Sequence, residues 1–215
     1  MKGPPGLHMR DTKIEGIGPW MWRHNDYWGW AHPLPEFAPL RDLILQHVKK
    51  RDVIIQAGGC MGMYPRLWAE SFNLVYTFEP DPINFYCLVA NCPDARIIKM
   101  QTALAASAMP CSACLVEERN AGAVMLQAAG GPLLALPLDA LSFQAVDAIQ
   151  LDCEEWEENV IAGAKNTLVK HRPIVSLEAP VSHGRQHMLL ALMSDLDYRE
   201  VGRCGSMPDI VFAPR

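Results

Sequence analysis

The chain has 215 residues, half of them hydrophobic and a fifth charged, which suits a globular domain with a well-buried core. Its net charge of -5 and pI near 5.8 exclude binding to nucleic acid by phosphate neutralisation alone. No apolar run reaches the roughly 18 residues of a membrane span, and the first ten residues lack the apolar core of a signal peptide.

Seven cysteines, an odd number at irregular spacing, favour a reduced, cytoplasmic compartment. Cys111 and Cys114 form a C-x-x-C pair with no second pair at zinc-like spacing, and they are read as plain thiols.

Residues 1–40 are rich in proline and glycine, and four of the six tryptophans fall between Trp20 and Trp30. So short a segment cannot bury its own core, so 1–40 is read as an arm and 41–215 as the domain. The arm either packs on the domain or in a dimer, or covers a cleft as a lid; packing is the favoured reading. A helix is expected over Asp42–Lys50. The β-branched run Asp52–Gln56 then reads as a strand covered on both faces.

Pro65 opens a helix over Arg66–Ser71, as proline does in a first turn. Strand Leu74–Phe78, helix Pro82–Asn91 and strand Ala95–Met100 follow. Cys111–Glu117 and Gly131–Leu136 are less regular and suggest an inserted strand or hairpin. The remaining elements are strand Val146–Leu151, a long helix Trp156–Lys170, strand Pro173–Glu178, helix Gln186–Leu196, and strands Tyr198–Arg203 and Asp209–Phe212. This alternation predicts an α/β fold, a mostly parallel sheet with helices on both faces. The short final turn makes the last two strands antiparallel neighbours.

In such sheets ligands bind beyond the carboxyl ends of the strands, where strand order reverses. The chemically informative residues fall at those ends: Gln56–Gly62, Glu79, Gln101–Leu104, Asp152–Glu154 and Glu178–His183. Gly58, Gly59 and Gly62 do not have the spacing of a dinucleotide fingerprint, so a turn that offers backbone N–H groups to a small carboxylate fits better. Glu79 ends a buried strand and suits a ribose diol, whose two hydroxyls a carboxylate can accept. Asp81 is the better placed of the two acids to cap the following helix.

Gln56-Ala57-Gly58-Gly59-Cys60-Met61-Gly62, Phe78-Glu79-Pro80-Asp81-Pro82-Ile83-Asn84-Phe85 and Ile149-Gln150-Leu151-Asp152-Cys153-Glu154-Glu155-Trp156-Glu157 resemble successive signatures of the FkbM family of S-adenosylmethionine-dependent methyltransferases. Leu138-Asp139-Ala140-Leu141 and Arg172-Pro173-Ile174-Val175-Ser176-Leu177-Glu178 resemble it too, and the five blocks stand in family order. The resemblance implies a Rossmann-like class I fold with a seven-stranded sheet and an antiparallel last strand. It also implies S-adenosylmethionine as cofactor. The residues it assigns to the cofactor are Gln56, Ala57, Gly58, Gly59, Cys60 and Gly62 around the methionine, Glu79 and Pro80 at the ribose, Thr102 and Ala103 at the adenine, and Asp152 at the reactive methyl.

The chain departs from the family pattern in three places. Gln56 replaces an aspartate, Cys60 an asparagine, and Glu154-Glu155 an acid-glycine pair. Gln56 can still meet an ammonium through its carbonyl oxygen.

O-methylation of a hydroxyl needs a base. Asp152 is the first choice and His183 the second, among candidates that include Glu154, Glu178 and His187. Asp152, Glu154, Glu178 and His183 could also hold a divalent ion, although nothing in their spacing requires one. The expected acceptor is a sugar or other small polar molecule. RNA or DNA as acceptor, a non-catalytic Rossmann-like binding protein and a dehydrogenase are the competing readings. No membrane partner is expected, and a homodimer is left open.

Overall fold

Runs of β-branched and aromatic residues, punctuated by capped helices, build one central sheet. The computed structural model describes residues 7–10, 19–24, 26, 37–128, 130–179, 184–205 and 209–215. Strands β1 (Leu7–Arg10) and β2 (Trp20–Arg23) pair antiparallel, followed by helix α1 (Ala38–His47). Strand β3 (Val53–Ala57), helix α2 (Met63–Ala69), strand β4 (Leu74–Phe78), helix α3 (Pro82–Asn91) and strand β5 (Ile97–Met100) form the first half of the sheet. The second half is β10 (Ala148–Leu151), α4 (Glu157–Ala162), α5 (Lys165–His171), β11 (Ile174–Glu178), α6 (Arg185–Asp195), β12 (Tyr198–Cys204) and β13 (Asp209–Pro214).

The order across the sheet is β12-β13-β11-β10-β3-β4-β5. The pairs among β11, β10, β3, β4 and β5 are parallel, and β13 runs antiparallel to both β11 and β12. This is the expected seven-stranded class I arrangement. Chain order reverses between β3 and β10, which opens a crevice at their carboxyl ends.

Both faces of the sheet are covered. Ile55, Ile149, Leu151, Val175 and Leu177 pack toward Val160, Leu168, Leu189 and Met193 on one side. Ile54, Val75 and Val211 pack toward Leu40, Ile44, Trp68 and Leu88 on the other. Asp81 caps α3 by accepting the N–H groups of Ile83 (3.0 Å) and Asn84 (2.8 Å), and Pro82 occupies the first turn.

Two expectations need revision, and a third gains detail. The long helix expected over Trp156–Lys170 is two helices. At Gly163 a Cβ atom would lie 2.0 Å from the carbonyl oxygen of Ala105, so the chain turns to clear that strand end. Asp139 then starts α5 by accepting the N–H groups of Asn166 (2.9 Å) and Thr167 (2.8 Å).

Second, the inserted segment is a sheet of its own, ordered β6-β9-β7-β8, with β6 (Ala103–Leu104), β7 (Met109–Leu115), β8 (Val124–Gln127) and β9 (Leu133–Leu136). The short β6 and the half-buried β8 lack the alternation that marks a strand in sequence.

Third, the arm contains the β1–β2 hairpin. Trp20 and Trp22 are buried beside Met61 and Cys87. Asn91 accepts the Met21 N–H (2.6 Å) and donates to the carbonyls of Met21 (2.9 Å) and Met61 (2.8 Å). These two tryptophans pack as the favoured reading requires, whereas Trp28 and Trp30 lie outside the described residues.

Candidate active site

A cavity of about 460 Å³ opens at the carboxyl ends of β3, β4 and β10. Its floor begins with Gly58, which has φ +85°, a conformation that favours glycine. A Cβ there would fall 1.7 Å from the carbonyl oxygen of Asp152, so the loop after β3 rests directly on the main chain beyond β10. Glycine at this position therefore brings the two strand ends together, in addition to leaving room for a ligand.

Glu79 follows β4 and is 3% exposed. Its Oε2 accepts the Cys60 N–H (2.7 Å) and its Oε1 accepts the Asp81 N–H (2.8 Å). Each oxygen keeps further lone-pair capacity for a hydroxyl donor. Burial pushes its carboxyl up to about 8, against the pull of those two N–H groups. Arg23, bonded to Asp81 and Asn84 at 3.1 Å each, brings the nearby positive charge.

On the insertion side, Thr102, Ala103 and Leu104 form the wall with Val124, Leu126 and Trp156. The Trp156 indole N–H donates to the Leu104 carbonyl (3.1 Å), which fixes the ring beside β6. The Thr102 hydroxyl donates to the Leu134 carbonyl (2.7 Å), tying this turn to the inserted sheet. The result is an apolar slot facing a carboxylate, the chemistry that suits a flat base attached to a ribose.

Ala57, Gly58, Gly59, Cys60, Glu79, Pro80, Thr102, Ala103 and Asp152 all line the cavity. Gln56 does not. Its oxygen accepts the Thr77 hydroxyl, and its amide donates to the carbonyls of Ala57 (3.1 Å) and Gly58 (2.8 Å). It buttresses the loop from below, and the oxygen expected to reach an ammonium is already engaged. Gly62 lies behind the loop, where an added Cβ would meet Cys92 Sγ at 2.5 Å.

His183 falls outside the described residues, and His187 on α6 does not line the cavity. Among the described residues, no group of three His, Cys, Asp or Glu side chains is arranged to hold a metal ion.

A model of the methyltransferase FkbM domain matches residues 134–200. That segment is similar to the FkbM methyltransferase domain. The matched segment runs from β9 into β12 and includes Asp139, Asp152 and Glu178.

Solved structures agree on the fold. Methyltransferase FkbM from Methylobacillus flagellatus KT superposes with a TM-score of 0.52 at 16% identity, over 83% of this chain and 52% of that one. Trm5b from Pyrococcus abyssi gives 0.56 at 10% identity, over 99% and 57%. Magnesium protoporphyrin IX methyltransferase from Synechocystis PCC 6803, solved with bound S-adenosylmethionine, gives 0.51 at 10% identity, over 84% and 78%. This chain thus spans about half the length of the first two relatives. No protein of curated function matches it.

The fold also brings to the cavity acids that the sequence blocks did not single out. Asp209, at the start of β13, and Asp26, from the arm, both line the cavity. Asp26 reaches across to accept the Ala121 N–H (2.8 Å). Tyr64, on α2, adds an aromatic wall. Asp209 is visible in the sequence as the residue that opens the last strand, but its place beside Glu178 comes from the β11–β13 register; Asp26 and Tyr64 carry no sequence signal. Where the family pattern has an acid-glycine pair, Glu154 and Glu155 adopt φ values of +50° and +69°. Cys60 lies at +44°.

Among the described residues, no helix is long and apolar enough to cross a membrane. All seven cysteines are free thiols.

Proposed function

We propose that this chain is an S-adenosylmethionine-dependent methyltransferase that methylates a hydroxyl on a sugar or another small polar acceptor. The observation that carries the reading is Glu79. It is a buried carboxyl on the cavity wall, held by the loop N–H of Cys60 and facing the slot of Ala103, Leu104 and Trp156. Glu79 would take the ribose hydroxyls, the slot the adenine, and the Gly58–Cys60 loop the methionine end. When bound, the cofactor supplies a methyl group made electrophilic by its sulfonium.

The protein contributes alignment and a proton acceptor. Asp152 and Glu178 lie within hydrogen-bond reach of each other, and Asp152 is raised by burial and then by the charges of Asp209 and Glu154. Glu178 is raised to about 9, first by Asp152 and then by burial. A carboxyl pair of this kind accepts a hydroxyl proton more readily than an ordinary carboxylate. Asp152 is the proposed base, with His183 as the second choice. The acidic lining repels phosphates, which favours a small acceptor over RNA or DNA. Free thiols throughout support a cytoplasmic setting.

Isothermal titration with S-adenosylmethionine and S-adenosylhomocysteine tests the reading. Binding by the parent protein, lost in Glu79→Ala, is the expected result. A parent protein that binds neither compound refutes it.

A further inference from the structure

The sheet divides the cavity into two ends. β3, β4 and the turn after β5 bring the glycine loop, Glu79 and the Thr102–Leu104 wall, whereas β10, β11 and β13 bring Asp152, Glu178 and Asp209. Glu178 and Asp209 are direct partners across the antiparallel β11–β13 pair. Asp152 comes one step after the Leu151–Leu177 pair, which sets it beside Glu178. Three adjacent strands therefore present a carboxyl at one level, with neighbouring Cβ atoms about 5 Å apart.

Such a row is self-repelling. Asp209 is pushed up to about 7 by burial and then by Glu178, and Glu154 to about 7 by burial and then by Glu178. Among the described residues lining the cavity there are six acids (Asp26, Glu79, Asp152, Glu154, Glu178 and Asp209) and no lysine, arginine or histidine. Arg185, on α6, is committed to Glu157 (3.1 Å) and Glu158 (2.7 Å).

The wall at this end supplies an independent observation. Tyr64 and Phe37 line it with their rings edge to face, centroids 4.8 Å apart. The Tyr64 phenol makes no hydrogen bond to a described residue. It lines the same cavity as Asp209, Asp152 and Glu178, and burial and then those three acids raise its pKa well above the ordinary value. An unpartnered phenol and two aromatic rings beside carboxylates make a setting for an organic cation: rings attract it through their faces, and an ammonium offers three donors.

We propose that the acceptor end binds a cationic molecule, a hydroxyl-bearing amine whose ammonium rests on Glu178 and Asp209 against Tyr64 and Phe37. This rests on the methyltransferase reading above and names its acceptor class. The ammonium returns the repelling carboxyls to their ionised form and leaves the hydroxyl to face Asp152.

Binding is measured on the full chain saturated with S-adenosylhomocysteine, using glucosamine against glucose and 2-amino-1,3-propanediol against glycerol. The amine of each pair is expected to bind about tenfold tighter or more. In Asp209→Asn the preference should fall to about twofold or less while S-adenosylhomocysteine binding is unchanged, and Phe37→Leu should weaken the amines alone. Equal binding within each pair, no binding of either amine at about 10 mM, or a preference untouched by Asp209→Asn overturns the proposal. It is also overturned if Asp209→Asn instead closes a gap between S-adenosylmethionine and S-adenosylhomocysteine affinity, because the acids then read the sulfonium. Failure of S-adenosylhomocysteine to bind the parent protein removes the methyltransferase reading itself, a result distinct from these.

Discussion

Replacing Glu79 by Gln separates the electrostatic role of this carboxyl from its hydrogen bonding. In the unfolded chain the group titrates near 4.5, and in the folded chain at about 8 because it is buried. Below the lower value both states hold the proton and pH has no effect. Between the two values only the folded state keeps it, so stability falls by about 1.4 kcal/mol for each pH unit of rise. From about pH 6 to about pH 9 this amounts to about 3 kcal/mol. Gln does not titrate and loses that slope. Its amide oxygen can satisfy only one of the Cys60 and Asp81 N–H groups, and its NH₂ faces the other donor, at a cost of about 1–3 kcal/mol. The variant should therefore be less stable than the parent by about 2 kcal/mol near pH 6, with the gap closing or reversing near pH 9. Urea unfolding of both proteins across this range measures it, and the other raised carboxyls largely cancel in the difference. Parallel stability profiles for parent and variant would refute the reasoning.

Asn91→Ala leaves the Met21 and Met61 backbone groups without their partner and should cost about 2–4 kcal/mol in urea unfolding, with weaker S-adenosylhomocysteine binding through the displaced loop. Arg185→Met strips Glu157, which is 0% exposed, of its charge partner and should cost about 3 kcal/mol in the same assay. Cys60→Asn and Glu155→Gly each put a more tolerant residue at a left-handed position, and each should raise stability by about 1 kcal/mol in calorimetry. No gain in either would show that these backbones carry no strain.

The main sheet was legible because its strands are covered on both faces and read as unbroken β-branched runs. Leu74–Phe78 and Pro82–Asn91 fall on their expected bounds, the latter because Asp81 and Pro82 mark its start locally. The break at Gly163 was hidden, since its cause is the carbonyl of Ala105, nearly sixty residues earlier in the chain. Likewise, the position of Gln56 on β3 suggested a ligand contact, but its neighbour across the sheet, Thr77, takes its oxygen. Glu79 and the glycine loop announce themselves by following strands. The row made with Asp209 depends on the β11–β13 register, which only the folded sheet reveals.

The contact between Gly58 and the Asp152 carbonyl has a consequence for how such a protein can diversify. On the proposed reading, donor seat and base would be butted together through main chain, so the span a methyl group must cross would be set by backbone thickness and be insensitive to most side-chain changes. New acceptors would then be accommodated by recutting β11, β13 and α2, while the stroke of the reaction stayed the same length.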